Sequence, residues 1–261
     1  MLPLYAIFKR HNVSYHCYAD DTQCYVTVHP KDVSSLQCLS DCLREVKEWM
    51  SANFLQLNES KTEVLIFGFP ASTEVVASKL GPLSNNHNSH ARNLGITFDS
   101  ALTFDKQMNA VVRSCFYQLK NIAKMKSFLT SKDMETVIHA FISSRLDYCN
   151  VLYLGVLQSL LSRLQLVQNA AARLLTGTRK REHISPVMIS LHWLPVKFRI
   201  HFKALLFVYK GLHGLAPSYI FDLLLQWNYS RELRATGSLQ LTVPRTRLKS
   251  KGDRAFSVAA P

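Results

Sequence analysis

Apolar residues recur along the chain with two different periods, and the change of period falls near residue 100. Ser14 to Tyr18 and Cys24 to His29 are rich in aromatic and β-branched residues, and Ala19-Asp20-Asp21-Thr22 lies between them. The pair predicts a β-hairpin with carboxylates at its tip, the second strand ending at Pro30. Leu36, Leu39, Leu43, Val46 and Met50 then recur at alternating steps of three and four, one apolar face of a helix over about Val33 to Asn53. Thr62 to Phe67 reads as a buried strand stopped by Gly68-Phe69-Pro70. Residues 71–92 are polar and read as a hairpin or loop of low regularity. Leu94 to Phe98 returns to strand character.

After Asp99 the period is helical for most of the chain. Met108, Val112, Cys115, Leu119 and Ile122 mark one face; Met134, Ile138, Phe141 and Ile142 mark the next, with Thr130 or Ser131 as its cap. Leu160, Leu164, Val167, Ala171 and Leu174 mark a third, which Gly177 can terminate. A fourth helix starts at Pro195, a good first helical residue, and runs to Gly211 or Gly214; a short fifth begins at Pro217. Residues past Thr236 look irregular. The division expected is 1–100, 101–182, 183–235 and an irregular basic tail over 236–261.

Composition sharpens this picture. With 261 residues and 48% apolar content the chain can bury a sizeable core, and disorder throughout is excluded. No uncharged apolar run is long enough to span a membrane, and the N-terminal residues are broken by Lys9, Arg10, Asp20 and Asp21, unlike a secretory signal. The six cysteines form no Cys-x-x-Cys and match no zinc-finger spacing, which fits an intracellular setting, cytoplasmic or nuclear, rather than secretion. Cys38 and Cys42, four apart on the first amphipathic helix, read as small core residues.

Charge divides the chain where the period does. Residues 1–100 carry 8 Lys+Arg against 10 Asp+Glu, a net −2; residues 101–261 carry 23 against 8, a net +15. Such asymmetry points to a basic surface for an acidic partner, nucleic acid first. The basic residues are scattered as on positively faced helices, with Lys120, Lys124 and Lys126 on one segment and Arg179-Lys180-Arg181 as a local block.

The candidate chemistry is Tyr18-Ala19-Asp20-Asp21. Two adjacent carboxylates on a tight turn repel each other. Left exposed they are a solvated turn; made to converge they suit a hard divalent cation such as Mg2+. With Mg2+ such a pair would align a 3′-hydroxyl and a triphosphate for in-line displacement, two ions about 4 Å apart clamping the attacking and leaving oxygens.

Here the sequence resembles a family. Tyr18-Ala-Asp-Asp21 resembles the Tyr-x-Asp-Asp hairpin of reverse transcriptases, and His16 to Tyr25 is similar to non-LTR (LINE-type) retrotransposon polymerases, CR1/L2-like. Asn53-Phe-Leu-Gln-Leu-Asn58 followed by Lys61-Thr62-Glu63, Asn93-Leu94-Gly95-Ile96, Ser144 to Asn150, Val167 to Arg173, Leu191-His-Trp-Leu-Pro-Val196 and Gly252 to Ser257 continue the likeness over almost the whole chain. The resemblance implies an α+β fold: a partial polymerase palm of β-hairpin, helix and strands, then a mainly α-helical thumb and C-terminal helical region. It implies catalytic and metal roles for Asp20 and Asp21, and a palm-lysine role near the triphosphate for Lys61, which otherwise reads as a solvated lysine. It places Tyr18 beside the template–primer end, and Asn93 and Gly95 near the primer strand. The cofactor implied is Mg2+. The partners are an RNA template, a DNA primer and deoxynucleotide triphosphates, with no membrane.

In this family an earlier palm carboxylate completes the metal site, and a fingers region holds template and triphosphate. Neither lies within these residues, so the chain alone is expected to be catalytically inactive, with Val64, Ile66 and Tyr25 uncovered; Ala259-Ala260-Pro261 likewise looks cut short against the family. The alternatives are a non-catalytic basic helical module that binds nucleic acid and a helical bundle that binds protein. The ten histidines form no ligand set, and Trp193-Leu-Pro195 reads as a buried helix start or an exposed docking patch.

Overall fold

The structure, a computed structural model, describes residues 2–29, 31–32, 34–225, 241–247 and 251–260. Met1, Pro30, Val33, residues 226–240 and 248–250 and Pro261 lie outside them, and with them the expected strand stop, the expected helix start and part of the basic tail. The chain divides into two compact units: residues 1–93 with 98–101, and 94–97 with 102–261. Helices and two small β-hairpins make this an α+β protein.

In the first unit, helix α1 (Leu2–Arg10) leads into the antiparallel strands β1 (Ser14–Tyr18) and β2 (Asp21–Tyr25), followed by helix α2 (Ser34–Ala52). Leu4, Ile7 and Phe8 repeat at helical spacing on α1 and are buried against Val13 and against Cys42 and Val46 of α2. Each such side chain contributes roughly 2 kcal/mol when fully buried. Tyr15 and Cys24 cover this cluster from the strands, and the Tyr15 ring stacks on Phe8 with centroids 4.5 Å apart. One face of the hairpin is thereby fixed to the helices.

The remainder of this unit departs from expectation. Thr62 to Phe67 forms no strand; it holds one bridge, in which Val64 donates to the Asn86 carbonyl at 2.8 Å and its own carbonyl accepts from Asn88 at 3.0 Å. Residues 70–77 are helical, not loop: α3 (Pro70–Ala77) starts on the fixed φ of Pro70 and buries Val76. Val76, Leu80 and Leu36 then pack on Val64 and Ile66, so those two are covered by a helix that polar composition concealed, whereas Tyr25 stays exposed. Strands β3 (His90–Asn93) and β4 (Ile96–Asp99) make a second hairpin. Leu94 and Gly95, expected in a strand, form its turn with φ of 44° and 81°. Two successive positive φ values define the turn that matches strand twist, and the second falls on glycine. Cys38, expected in the core, is exposed, while Cys42 is wholly buried.

The second unit is helical: α4 (Asp105–Lys124), α5 (Ser131–Ile138), α6 (Ser144–Asp147), α7 (Gln158–Thr176), α8 (Ser185–Ser190), α9 (Val196–Leu212), α10 (Ser218–Asp222) and α11 (Phe256–Ala259). Met108, Cys115, Leu119 and Ile122 of α4 and Leu160, Leu164, Val167 and Ala171 of α7 are buried. Thr130 caps α5 in a reciprocal box with Asp133, and Gly177 ends α7 at φ 72°. Phe141, expected inside, is exposed, because residues 139–143 form a π-helical turn. The wider turn rotates the register, keeping Ile142 in the core and turning Phe141 out. Trp193 is buried against the His139 ring, and Pro195 caps α9. Gly252–Arg254 and α11 give the C-terminal residues helical turns that composition did not signal.

Candidate functional site

The strand register pairs Tyr18 with Asp21 and leaves Ala19 and Asp20 as a two-residue loop. Ala19 carries φ 54°. A positive φ at the first loop position matches the right-handed twist of the strands, and a side chain there costs about 1 kcal/mol. Asp20 therefore stands at the apex and Asp21 opens β2.

Alternation does the rest. Tyr15 and Cys24 face the helical core, so Ser14, His16, Tyr18, Asp21, Gln23 and Tyr25 line the other face. On it the His16 and Tyr25 rings stack with centroids 5.4 Å apart, and the Tyr25 hydroxyl meets His16 Nε2 at 3.2 Å. Tyr18 is 68% exposed, and both aspartates are exposed. Burial pushes the Cys24 thiol behind this face up to about 12.

Asn93 reaches the same face from β3: its Nδ2 donates to Gln23 Oε1 at 2.8 Å. Strand β3 is held in turn by Glu63, whose carboxylate accepts from the Arg92 amide at 2.8 Å. Asn86 ties this region to the turn at residues 59–62 by donating to the Glu59 and Thr62 carbonyls. Tyr18, Asp21 and Gln23 thus share one face of the hairpin, and Asn93 is tied to that face through Gln23. Sequence reasoning passed over Gln23; its place two residues after Asp21 on a strand was the available signal. Lys61 does not join them by any hydrogen bond or ion pair among the described residues. It ends a short turn, Glu59–Lys61, and is exposed, beside the Lys47–Glu59 ion pair of 2.6 Å that holds the Glu59 carboxyl below its usual range. The turn bearing Gly95 is held by Tyr148, whose hydroxyl donates to the Leu94 carbonyl at 2.6 Å.

The carboxylates of Asp20 and Asp21 are hard oxygen donors of the kind Mg2+ takes. Among the described residues no group of three or more His, Cys, Asp or Glu side chains is placed to hold a metal. Two adjacent carboxylates make at most part of the oxygen shell that Mg2+ takes.

The predicted basic residues fall at two places in the helical unit. Lys120 and Lys124, one turn apart, are exposed on α4. Lys126 donates to the Leu174 carbonyl at 3.1 Å, capping the C-terminus of α7. Arg173 donates to the Arg179 and Glu182 carbonyls, folding the segment after Gly177 back on the helix and leaving the Arg179, Lys180 and Arg181 side chains exposed. Lys126 and the 179–181 block converge on one helix end.

The sequence is similar to a Drosophila melanogaster protein described as "Probable RNA-directed DNA polymerase from transposon BS", with 26% identity over 177 residues. The match covers 62% of this chain and 19% of that relative's length. No family model matches the chain, and no solved structure matches it. The likeness is to a reverse transcriptase of a transposon.

Proposed function

We propose that the chain is part of a LINE-type, CR1/L2-like retrotransposon reverse transcriptase, in which residues 1–100 are palm and residues 101–182 a thumb-like domain followed by a helical region. The observation that carries the reading is the tip of the β1–β2 hairpin: Tyr18, Asp20 and Asp21 are exposed together, on a turn whose face continues to Asn93. Asp20 and Asp21 would hold Mg2+, which when bound supplies charge neutralisation for nucleotidyl transfer. Tyr18 presents an apolar ring to the primer end, and Asn93 fixes the neighbouring strand. Lys61 belongs to the triphosphate side. The basic helices hold the phosphates of template and primer without reading sequence. Two carboxylates fall short of a two-ion site, so these 261 residues alone do not extend a primer.

Mn2+ in place of Mg2+ tests the reading by NMR. Paramagnetic broadening of the Tyr18 to Thr22 amides, deepened by a primer–template and lost in Asp20→Asn/Asp21→Asn, is the expected result. Broadening spread evenly over the surface carboxylates would overturn it, and primer extension by the chain alone would overturn the inactive assignment. The rival reading, a non-catalytic nucleic-acid module, draws on the +15 of residues 101–261 and predicts binding to RNA without any Mn2+ response at the hairpin.

A further inference from the structure

Helix α9 buries Val196, Ile200, Ala204 and Val208 on one side. On the opposite side Phe198, Phe202, Leu205 and Tyr209 follow at steps of four, three and four, each more than half exposed at 56%, 59%, 59% and 55%. Positions so spaced lie in one row, about 16 Å long. The row ends in a ring pair: Tyr209 stacks on His213 with centroids 4.1 Å apart and planes 26° apart. Single exposed apolar residues need no explanation, but a row of three rings and a leucine does.

Charge says what covers it. From Val196 to Leu212 the helix carries Lys197, Arg199, Lys203 and Lys210 and neither Asp nor Glu. Arg199, Lys203 and Lys210 flank the row on one side by helical phase, and Arg199 is engaged with Asp147 of α6. Beside the start of α9 a cavity of about 300 Å³ is lined by Lys197 and by Gln158, Leu161, Ser162, Gln165, Leu166 and Asn169 of α7. Aromatic faces edged by cations, with amide and hydroxyl groups alongside, are what unpaired nucleotides use: bases stack on rings while phosphates meet the cations. With Arg199 paired to Asp147, Lys203 and Lys210 carry the positive charge of this edge, which suits an anionic strand better than an apolar protein face.

We infer that the outer face of α9 is a binding surface for single-stranded nucleic acid, with Phe198, Phe202 and Tyr209 as stacking platforms and Lys203 and Lys210 as phosphate contacts. The inference draws on no residue of the acidic hairpin and stands whether or not the polymerase reading does.

The full chain, titrated into an oligonucleotide carrying 2-aminopurine, tests it. Binding should quench the base fluorescence, the signature of stacking. Phe202→Ala and Tyr209→Ala should each weaken binding about 5- to 150-fold, the loss of one stacked base. Phe202→Trp should retain both affinity and quench. Lys203→Gln and Lys210→Gln should lower the salt slope while leaving the quench at saturation intact. These side chains are exposed or peripheral, and an unchanged helical circular dichroism spectrum confirms folding of each variant. Affinity and quench unaltered in the Phe198→Ala/Phe202→Ala/Tyr209→Ala variant would overturn the inference. So would loss of self-association or of vesicle binding in that variant with oligonucleotide affinity intact.

Discussion

Asn93 and Gln23, seventy positions apart in sequence, meet side chain to side chain: Asn93 Nδ2 lies 2.8 Å from Gln23 Oε1. This contact joins β3 to the strand that Asp21 opens. It is exposed, so its net worth is at the low end for a hydrogen bond, about 0.5 kcal/mol. Asn93→Ala should therefore leave the chain folded but speed hydrogen exchange of the β2 amides about twofold, and Gln23→Ala should do the same. The double variant should add nothing further, because the two act through one bond. Additive effects would show that the contact is not formed.

The left-handed Ala19 gives a second prediction. Ala19→Gly removes the Cβ that makes φ 54° unfavourable and should stabilise the hairpin by about 1 kcal/mol. Ala19→Val should destabilise it by at least as much, since a branched side chain tolerates this region least. Hydrogen exchange of the cross-strand amides of Tyr18 and Asp21 reads both. A hairpin indifferent to either change would contradict the register.

The junction of α1 and α2 carries a pH dependence. Glu45 of α2 meets His11 Nε2 at 2.7 Å and pairs with Arg10. The hydrogen bond from His11, then the Arg10 charge, hold its carboxyl below the usual range. A carboxyl with a depressed folded pKa stabilises fully above its unfolded value near 4.3 and loses that contribution as pH falls through the folded value. Protection of the α1 amides should fall as the pH drops below about 4. Glu45→Gln should flatten that fall and leave protection lower at neutral pH. An unchanged profile would disprove the linkage.

Thiol reactivity separates the cysteines. Burial pushes the Cys42 and Cys115 thiols up to about 11 and Cys24 up to about 12. Almost no thiolate exists at these positions at pH 8, and thiolate is the nucleophile. Brief alkylation of the native chain should label Cys17, Cys38 and Cys149, which are exposed, and spare the other three. Peptide mass spectrometry reads the pattern. Labelling of Cys115 at the rate of Cys17 would mean that the α4 core opens.

Legibility followed the physics of each segment. Helices α2, α4 and α7 could be read because one face is buried and burial leaves a three–four spacing in the sequence, and α9 because Pro195 marks its start. The acidic hairpin could be read because turn residues and alternation are local signals. Leu4, Ile7 and Phe8 carried the α1 signal as plainly, but the segment drew notice only for lacking a secretory signal. Helix α3 was hidden because it buries little beyond Val76. Thr62 to Phe67 has strand composition, yet tertiary packing on Val76 and Leu80 overrides it and leaves one bridge. Phe141 was misplaced because a π-turn breaks the period on which the reading relied. The Gln23–Asn93 contact has no local signature, and Lys61 was assigned through resemblance rather than geometry.

Gly155 and Arg254 supply the last prediction. Arg254, beside the C-terminal turn, donates to the Leu102 carbonyl at 2.6 Å and the Leu154 carbonyl at 3.2 Å, and its guanidinium carbon lies 5.7 Å from the Phe104 ring centroid. Gly155 has φ 70°, and a Cβ there would fall 2.7 Å from Arg254 Cγ. Gly155→Ala therefore meets two penalties: a left-handed backbone costing about 1 kcal/mol, and an arginine stem that must move off its two carbonyls. Arg254→Ala removes the same contacts without touching the backbone. Both variants should lower the thermal midpoint of the chain, Gly155→Ala the more. In the Gly155→Ala/Arg254→Ala double variant the steric part disappears, so its loss should be smaller than the sum of the two. Strict additivity would show that Arg254 does not sit over Gly155 in solution.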